Sequence, residues 1–180
     1  MEQSEKIAEH MSMYETVIIM ANLAGKSGAA LAPVVSSICK EQNKNVLSFA
    51  IMPFKFEKNR IFQSGISLKR LKMNSDSTII IDNDAILDSN PDFTTQRCYD
   101  VTNNAIKCLA TSIKSSSLTD DTNIMSTSRS TENIEDSVKD SIKMLYEDAP
   151  PNSIKRSMLY VYGADKIPVG VINSISNILG

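Results

Sequence analysis

The stretch Glu15–Lys40 constrains the fold more than any other part of this 180-residue chain. It begins with an apolar run rich in β-branched residues (ETVIIMAN), continues through a small-residue loop (LAGKSGAALAP) and ends in a helical pattern (VVSSICK). Pro33 stands where a first-turn proline is tolerated, which places the start of the predicted helix there. A strand, a glycine-containing turn and a helix N-terminus together suit an anion, because unpaired N–H groups and the helix dipole point at the loop. If the protein binds a phosphate, the sequence predicts that it binds it here.

Residues 41–84 repeat this alternation of strand and helix. Buried strands are predicted at Val46–Ile51 and Ser77–Asp82, with a helix over Arg60–Met73 between them. Turns are predicted at residues 41–45 (EQNKN) and at Asn83-Asp84. Strands alternating with helical patterns of this length indicate βαβ units around a parallel sheet. The runs Thr16–Met20, Val46–Ile51 and Thr78–Ile81 are therefore predicted to be parallel neighbours.

The C-terminal half has a different pattern of elements. Phe93–Ile113 carries the longest helical pattern, and Lys114–Glu132 is a Ser/Thr/Asp-rich segment that we predict to be flexible. A helix at Asn133–Tyr146, a short strand at Met158–Tyr162, a turn at residues 163–165 (GAD) and a helix at Ile167–Leu179 are predicted after it. Such an αβα fragment has too few strands to form a sheet of its own.

Composition argues against several classes of function. A net charge of −2 argues against a general nucleic-acid surface or a polybasic membrane patch, although a local cluster stands at Lys69, Arg70 and Lys72. These three cations complement the dipole at the C-terminal end of their helix. No apolar run approaches the roughly 20 residues that cross a bilayer, so we expect no membrane insertion. The polar, acidic N-terminus does not read as a secretory signal, and a cytoplasmic protein is expected.

Cysteine usage also fits a cytoplasmic protein, and histidine usage limits the chemistry that the chain can perform. Cys39, Cys98 and Cys108 are few, odd in number and set in apolar patterns, which favours reduced thiols over a disulfide. The single histidine, His10, leaves little material for His-dependent nucleophilic catalysis or a multi-His metal site, and no metal ligand is predicted.

The loop itself differs by one residue from the Walker A pattern GxxxxGK[ST]. Met20–Ser27 reads MANLAGKS, so Met20 occupies the position of the glycine that opens a phosphate-binding loop. Two interpretations stay open on the residues alone: an ordinary tight turn between strand and helix, or a P-loop-like NTP site that uses Lys26.

Five stretches, in the same order, resemble segments of FtsZ, the prokaryotic tubulin homologue. The first three resemble the family's patterns GGGTGTGAAPV, PFxFEGxxR (with one residue deleted here) and VDxLIxIPND, and the last two resemble the central helix and the C-terminal-domain strand, turn and helix. In chain order they are Gly25–Val34, Pro53–Arg60, Ser75–Asp84, Asp100–Ile113 and Met158–Leu179. The resemblance covers most of the chain outside the serine-rich segment and is to a divergent, N-terminally shortened, archaeal-type member.

The resemblance implies a set of cofactor-binding residues. In the family the glycine-rich loop holds the GTP phosphates through backbone N–H groups, and an acidic residue and an arginine lie on the ribose and near the nucleotide. The matching positions here are Gly25, Ser27, Gly28, Glu57 and Arg60. Alanines replace other members of the loop, and alanine is strained wherever such a loop needs a positive φ. The other interpretation of the acid and the arginine is an exposed loop pair, of little value as a salt bridge.

The sequence departs from the family pattern at the positions that contact the guanine base and in the catalytic loop. The positions that normally contact guanine fall on Thr95 and Tyr99, and a tyrosine on a long helix also suits core packing. The family's NxDxxD loop corresponds to residues 118–123 (LTDDTN), where acids remain without the spacing. Catalytic residues are therefore unknown, and GTP binding is expected to be weak or lost, with Mg²⁺ possible alongside a nucleotide.

Together the residues and the resemblance predict an α/β protein with a partial FtsZ/tubulin-like parallel sheet, a long central helix and a remnant α+β C-terminal domain. The predicted division is 1–113 (partial GTPase-like domain), 114–132 (linker) and 133–180 (C-terminal remnant). The implied function is a cytoskeletal cell-division assembly module of a GTP-binding family, with weakened or absent hydrolysis. Its partners would be itself or full-length FtsZ-like subunits in head-to-tail assembly, without nucleic acid. The alternatives are a GTPase that works when complemented by another chain, or the P-loop-like protein that uses Lys26.

Overall fold

The computed structural model describes residues 2–112, 122–128, 133–161 and 168–179. The described helices and strands are α1 Glu2–Met11, β1 Thr16–Asn22, α2 Lys26–Glu41, β2 Asn45–Met52, α3 Lys58–Met73, β3 Ser77–Asp82, α4 Asn83–Ser89, α5 Thr95–Ser112, β4 Thr122–Ile124, α6 Ile134–Asp148 and α7 Val169–Leu179. By packing, the chain falls into two units, Met1–Asp84 with Lys114–Met125 and Ala85–Ile113 with Ser126–Gly180. The domain division at residues 113 and 132 stays a prediction.

The first unit is built on a sheet of order β1-β2-β3-β4 in which every pair is parallel. Thr16 is opposite Asn45 at the start of β1, and Leu47 is opposite Ser77 one strand further on. The predicted parallel arrangement of the first three strands is thereby confirmed, and with it the α/β fold class. Long helical crossovers make this outcome expected, because a parallel neighbour cannot be reached through a tight turn.

One face of β1 and β2 packs on the helices. Ile19, Ala21, Val46 and Ala50 form a buried cluster with side chains of α2 and α3, including Leu71. The opposite face of β1 is different, since Ile18 and Met20 are 42% and 53% exposed. The edge strand is thus buried on one face only, as the alternation of its side chains requires.

Helix α2 begins seven residues earlier than the sequence indicated. Its first residue is Lys26, so Pro33 lies inside the helix and is not a first-turn proline. Proline costs the helix one backbone hydrogen bond at this point. The run of Gly, Ala and Ser before Pro33 hides the helix in the sequence, because small residues give no apolar stripe. The predicted loop shrinks to the three residues Leu23–Gly25.

The turn predicted after α2 has a defined geometry. Asn43 has φ 55°, a left-handed conformation that asparagine tolerates better than most residues. The N–H groups of Asn43 and Lys44 donate to the carbonyls of Lys40 and Cys39, both at 3.0 Å. This double closure is the Schellman motif, which satisfies the last carbonyls of the helix and directs the chain into β2.

Asp76 connects three elements at the amino end of the sheet. Its Oδ1 lies 2.7 Å from Nζ of Lys40, and its Oδ2 accepts from the N–H of Val46 at 2.8 Å. Burial raises the pKa of Asp76, but the hydrogen bond from Lys40, the Val46 N–H and the positive charge of Lys40 together lower it below its ordinary value. The carboxylate therefore stabilises the folded chain more than the unfolded one.

Replacing Asp76 with asparagine is expected to lower the free energy of unfolding at pH 7 by about 1–2 kcal/mol, since a partly exposed charge-assisted pair is lost. Because the folded-state pKa is depressed, the wild-type contribution is present above the unfolded pKa and is lost as the pH falls through the folded one. Urea unfolding of both proteins from pH 7 to pH 3 checks this. The gap between them should narrow towards acid, and a constant gap would contradict the assignment.

Three local predictions are wrong. Asn83-Asp84 does not form a simple turn but begins helix α4. The segment predicted as a flexible linker contains β4, whose three residues are too short to show an alternating pattern; the rest of that prediction falls largely outside the described residues. The predicted strand Met158–Tyr162 has no strand in its described part, residues 158–161, and the predicted turn at residues 163–165 lies outside the described residues.

The second unit contains the long helix. Helix α5 confirms the predicted long helical segment: it begins two residues after the expected start and is described to Ser112. Helix α6 is capped by Asn133, whose side chain accepts from the N–H of Glu135 at 2.9 Å, and it packs against α7. No helix within the described residues is long and apolar enough to cross a bilayer.

Candidate site at the carboxyl edge of the sheet

The predicted site residues lie on segments that follow β1 and β2. These strands end at Asn22 and Met52, and the neighbouring β3 ends at Asp82, so the three following segments meet at one edge of the sheet. In open α/β sheets, ligands bind outside the carboxyl ends of the strands. The structure thus places Gly25, Ser27 and Gly28 on one segment of this edge and Glu57 and Arg60 on the next.

Gly25 is the N-cap of α2. Its φ of −84° and ψ of 140° are ordinary extended values, and no side chain caps the helix. The first backbone bond of the helix runs from the N–H of Ala29 to the carbonyl of Gly25, at 2.9 Å. The N–H groups of Lys26, Ser27 and Gly28 precede that bond and therefore have no partner inside the helix. Three amides at the positive end of a helix dipole fit a phosphate group.

Gly28 has a structural role that the sequence did not reveal. A Cβ placed on it would lie 2.2 Å from the carbonyl oxygen of Asn22 and 3.0 Å from the carbonyl carbon. Only glycine lets the first turn of α2 approach the end of β1 so closely. The same construction at Gly25 gives 3.4 Å to the Asn22 oxygen, an ordinary contact.

The expected strain at the loop alanines is absent. Among the described residues the only non-glycine residue with positive φ is Asn43, far from this loop. Ala29 and Ala30 lie inside α2, where alanine is the most favourable residue. These alanines are compatible with the structure because they adopt helical backbone angles.

Glu57 and Arg60 pair with each other. Nη1 of Arg60 lies 2.9 Å from Oε1 of Glu57, and Oε2 of Glu57 accepts from the N–H of Phe54 at 3.2 Å. The Glu57 side chain is 17% exposed and the Arg60 side chain 58%. The acid thus holds the entry to α3 in place, while the guanidinium faces an open depression of about 470 Å³ lined by residues 56–60.

Ser64 joins the two segments. Its hydroxyl lies 2.7 Å from the carbonyl oxygen of Leu23 and 2.8 Å from that of Arg60. The turn before α2 and the first turn of α3 therefore share one buried hydroxyl. This contact joins the turn that precedes the uncapped end of α2 to the first turn of α3.

A second set of hydrogen bonds connects the loop after β2 to the residues at the end of β3. Oδ2 of Asp84 accepts from the N–H of Lys55 at 2.6 Å, and the Asn83 side chain donates to the carbonyl of Met52 at 3.0 Å. Oδ1 of Asp82 in turn accepts from the N–H of Asp84 at 2.8 Å. The two carboxylates at this edge are thus engaged with backbone groups.

The remaining residues of interest are on α2, α5 and β4, or lie outside the described ranges. Lys26 and Ser27 have exposed side chains on the first turn of α2. Thr95 and Tyr99 are on α5, in the second unit. Thr122 and Asn123 of the expected catalytic loop form part of β4, and residues 118–121 lie outside the described residues.

Sequence reasoning missed Ser64, Asn83 and Asp84. No signal marks Ser64, since a serine inside a helical pattern has no preferred role. The pair Asn83-Asp84 did carry a signal, because polar residues directly after a buried strand fall at the carboxyl edge where ligand segments converge.

Comparisons with known proteins agree with this geometry. The family model described as "Tubulin/FtsZ family, GTPase domain" matches residues 1–91. "Cell division protein FtsZ 2" of Halobacterium salinarum is 33% identical over 95 residues, covering 53% of this chain and 24% of that protein. "Cell division protein FtsZ" of Aquifex aeolicus is 36% identical over 87 residues, covering 48% of this chain and 24% of that protein. The chain therefore spans about a quarter of the length of these curated relatives.

Solved structures support the same fold. An FtsZ mutant from M. jannaschii aligns with a TM-score of 0.67 at 22% identity, covering 82% of this chain and 50% of that one. A structure titled "FtsZ dimer, empty", also from M. jannaschii, aligns with a TM-score of 0.55 at 26% identity, covering 58% of this chain and 31% of that one.

The sheet and its edge define an α/β protein of the class whose ligands meet the carboxyl ends of parallel strands. The family match narrows this class. The chain belongs to the Tubulin/FtsZ family, in the part of it that forms the GTPase domain.

Proposed function

We propose that this chain is a cytoskeletal, cell-division assembly module of the GTP-binding Tubulin/FtsZ family with weak nucleotide binding and weakened or absent hydrolysis. Membership of the family supports the GTP and cell-division part of the proposal. The observation that carries it is the uncapped first turn of α2, which follows a turn that the Ser64 hydroxyl joins to the first turn of α3. A cytoplasmic location and self-assembly or co-assembly with FtsZ-like subunits belong to the same proposal.

Backbone N–H groups would bind the phosphate in the proposed function. The N–H groups of Lys26, Ser27 and Gly28 would hold phosphate oxygens, and the exposed Ser27 hydroxyl adds a further donor. Gly25 keeps this end of the helix open although its own backbone conformation does not demand glycine. Arg60, with its exposed guanidinium, would lie towards the rest of the nucleotide, and Glu57 orients it.

Weakened turnover is proposed from the sequence of the expected catalytic loop. Residues 118–123 (LTDDTN) retain acids without the family's spacing, so no carboxylate is assigned to catalysis. Among the described residues no group of three or more acidic, His or Cys side chains could hold a metal ion. In the proposed function, Mg²⁺ would enter with the nucleotide and be held largely by its phosphates.

Isothermal titration of the chain with GTP tests the proposal. We expect an affinity weaker than about 10 µM, because several charge-assisted hydrogen bonds of a complete site are lost, each worth roughly 1–3 kcal/mol. Gly25→Ala should weaken binding further without lowering stability, since the added methyl covers the amides but meets only an ordinary contact. Gly65→Ala, an exposed change with open space around it, is the matched control and should bind as the wild type does. A submicromolar affinity would refute the weak-binding part.

A P-loop-like site using Lys26 is the second candidate. The observation in its favour is that Lys26 occupies the first position of α2 with an exposed side chain. It predicts equal affinity for GTP and ATP and a loss of both in Lys26→Gln, whereas the proposed function predicts a preference for GTP. The third possibility, an active GTPase completed by another chain, predicts phosphate release only when FtsZ subunits are added.

A further inference from the structure

Helix α3 carries more positively charged residues than the proposed site uses. Its sixteen residues, KNRIFQSGISLKRLKM, contain five basic residues and no acidic one. The whole chain has a net charge of −2, so the rest of the molecule is acidic by comparison. Only Arg60, through Glu57, forms a salt bridge to another described residue. Four cations of one helix are left facing solvent.

These cations share a face with exposed apolar side chains. Ser64, Ser67 and Leu71 are the buried residues of α3. At about 100° per residue, the opposite side is an arc of about 120° in which every member is exposed. In order around the helix, that arc contains Ile61, Lys72, Gly65, Lys58, Lys69, Phe62 and Met73. We call this arc the α3 outer face.

The apolar members of the α3 outer face are unusually accessible. Phe62 is 79% exposed, Met73 71% and Ile61 43%. Lysines interleaved with exposed aromatic and aliphatic side chains, with no acid among them, offer both the charge and the apolar contacts that peripheral binding to an anionic lipid surface uses. The face is also a convex ridge about 24 Å long, estimated from sixteen residues at 1.5 Å each. A ridge suits a flat surface, whereas an acidic peptide needs a groove to lie in.

We propose that the α3 outer face binds the surface of an anionic phospholipid bilayer. Lys58, Lys69 and Lys72, with Arg70 beside them, contact lipid phosphates, and Phe62 and Met73 enter the headgroup layer. The association is peripheral, and it does not depend on nucleotide binding. The cations Lys69, Arg70 and Lys72 would thus bind lipid phosphates in addition to complementing the dipole of their own helix.

Vesicle co-sedimentation of the full chain tests this inference. We expect binding to vesicles containing 30% phosphatidylglycerol, little binding to pure phosphatidylcholine, and a steep loss between 50 and 300 mM NaCl. Each Lys or Arg near an anionic surface is worth about a fivefold change, so the triple variant Lys69→Gln, Arg70→Gln, Lys72→Gln should bind about a hundredfold more weakly. Phe62→Ser should lower affinity by about fivefold to tenfold without changing the charge.

A second triple variant controls for net charge. Lys139→Gln, Lys143→Gln and Lys155→Gln remove the same three charges from exposed positions outside α3 and should change binding less than about threefold. All substituted side chains are exposed, and matching circular dichroism melts establish that the variants fold. Equal binding to neutral vesicles, or an equal loss in both triple variants, overturns the proposal. Retention by polyglutamate but not by anionic vesicles also overturns it, in favour of an acidic protein partner.

Discussion

Replacing Gly28 with alanine is expected to lower the free energy of unfolding by about 3 kcal/mol, the upper end of the usual cost of overpacking. The added Cβ would lie 2.2 Å from the carbonyl oxygen of Asn22, and both groups belong to backbone. Neither can move away by changing a rotamer, so either α2 or the end of β1 must shift. The expected fall in melting temperature is roughly 6–12 °C for a chain of this size.

Thermal unfolding followed by circular dichroism measures this, with Gly65→Ala as the control. Gly65 lies within α3 and an added Cβ meets nothing within 4 Å, so alanine should raise stability by about 0.5–1 kcal/mol. The same chemical change is therefore expected to have opposite signs at two helical positions. A Gly28→Ala protein as stable as the wild type would show that the close approach of α2 to β1 is not required.

The second large effect concerns the open edge of β1. The carbonyl of Glu15 accepts from the N–H of Asn45, and the N–H of Leu23 donates to Ile51, so odd-numbered residues face β2. The peptide groups of Ile18 and Met20 therefore point to the other side, where no described strand pairs with them. Thr16–Asn22 contains no charged residue, so the edge lacks the lysines that usually discourage pairing.

We expect the chain to self-associate through this edge, and Met20→Lys to weaken that association by at least tenfold. Met20 is 53% exposed, so the lysine can be accommodated in the monomer while it places a charge on the edge. Sedimentation velocity over a concentration series is the measurement. Met73→Lys is the matched control, because Met73 is also exposed, at 71%, but lies on α3. A compact wild-type monomer at every concentration would contradict the prediction.

How far the sequence predicts this fold depends on side-chain size. Ser77–Asp82 was predicted with its bounds as observed, because STIIID is an apolar, β-branched run bounded by polar residues. The start of α2 was missed because the first seven residues of the helix are mostly Gly, Ala and Ser. Such residues form helices readily when neighbouring groups pack on them, but they produce no periodic pattern.

The site was predictable in position and not in its interactions. Strand, glycine and helix mark the anion-binding turn from sequence alone. That Gly28 is needed for close packing depends on the distance to Asn22, and no sequence pattern carries that distance. The link through Ser64 joins residues 41 positions apart, so only the assembled fold reveals it.

The uncapped first turn of α2 also bears on abundance in the cell. A helix end without a capping side chain leaves its donors to solvent, and any anion that occupies it binds the folded chain but not the unfolded one. By mass action, a ligand at a hundred times its dissociation constant adds about 2.7 kcal/mol to the free energy of unfolding. A phosphate-bearing ligand bound there, as proposed, would therefore slow proteolysis by lowering the population of the unfolded chain.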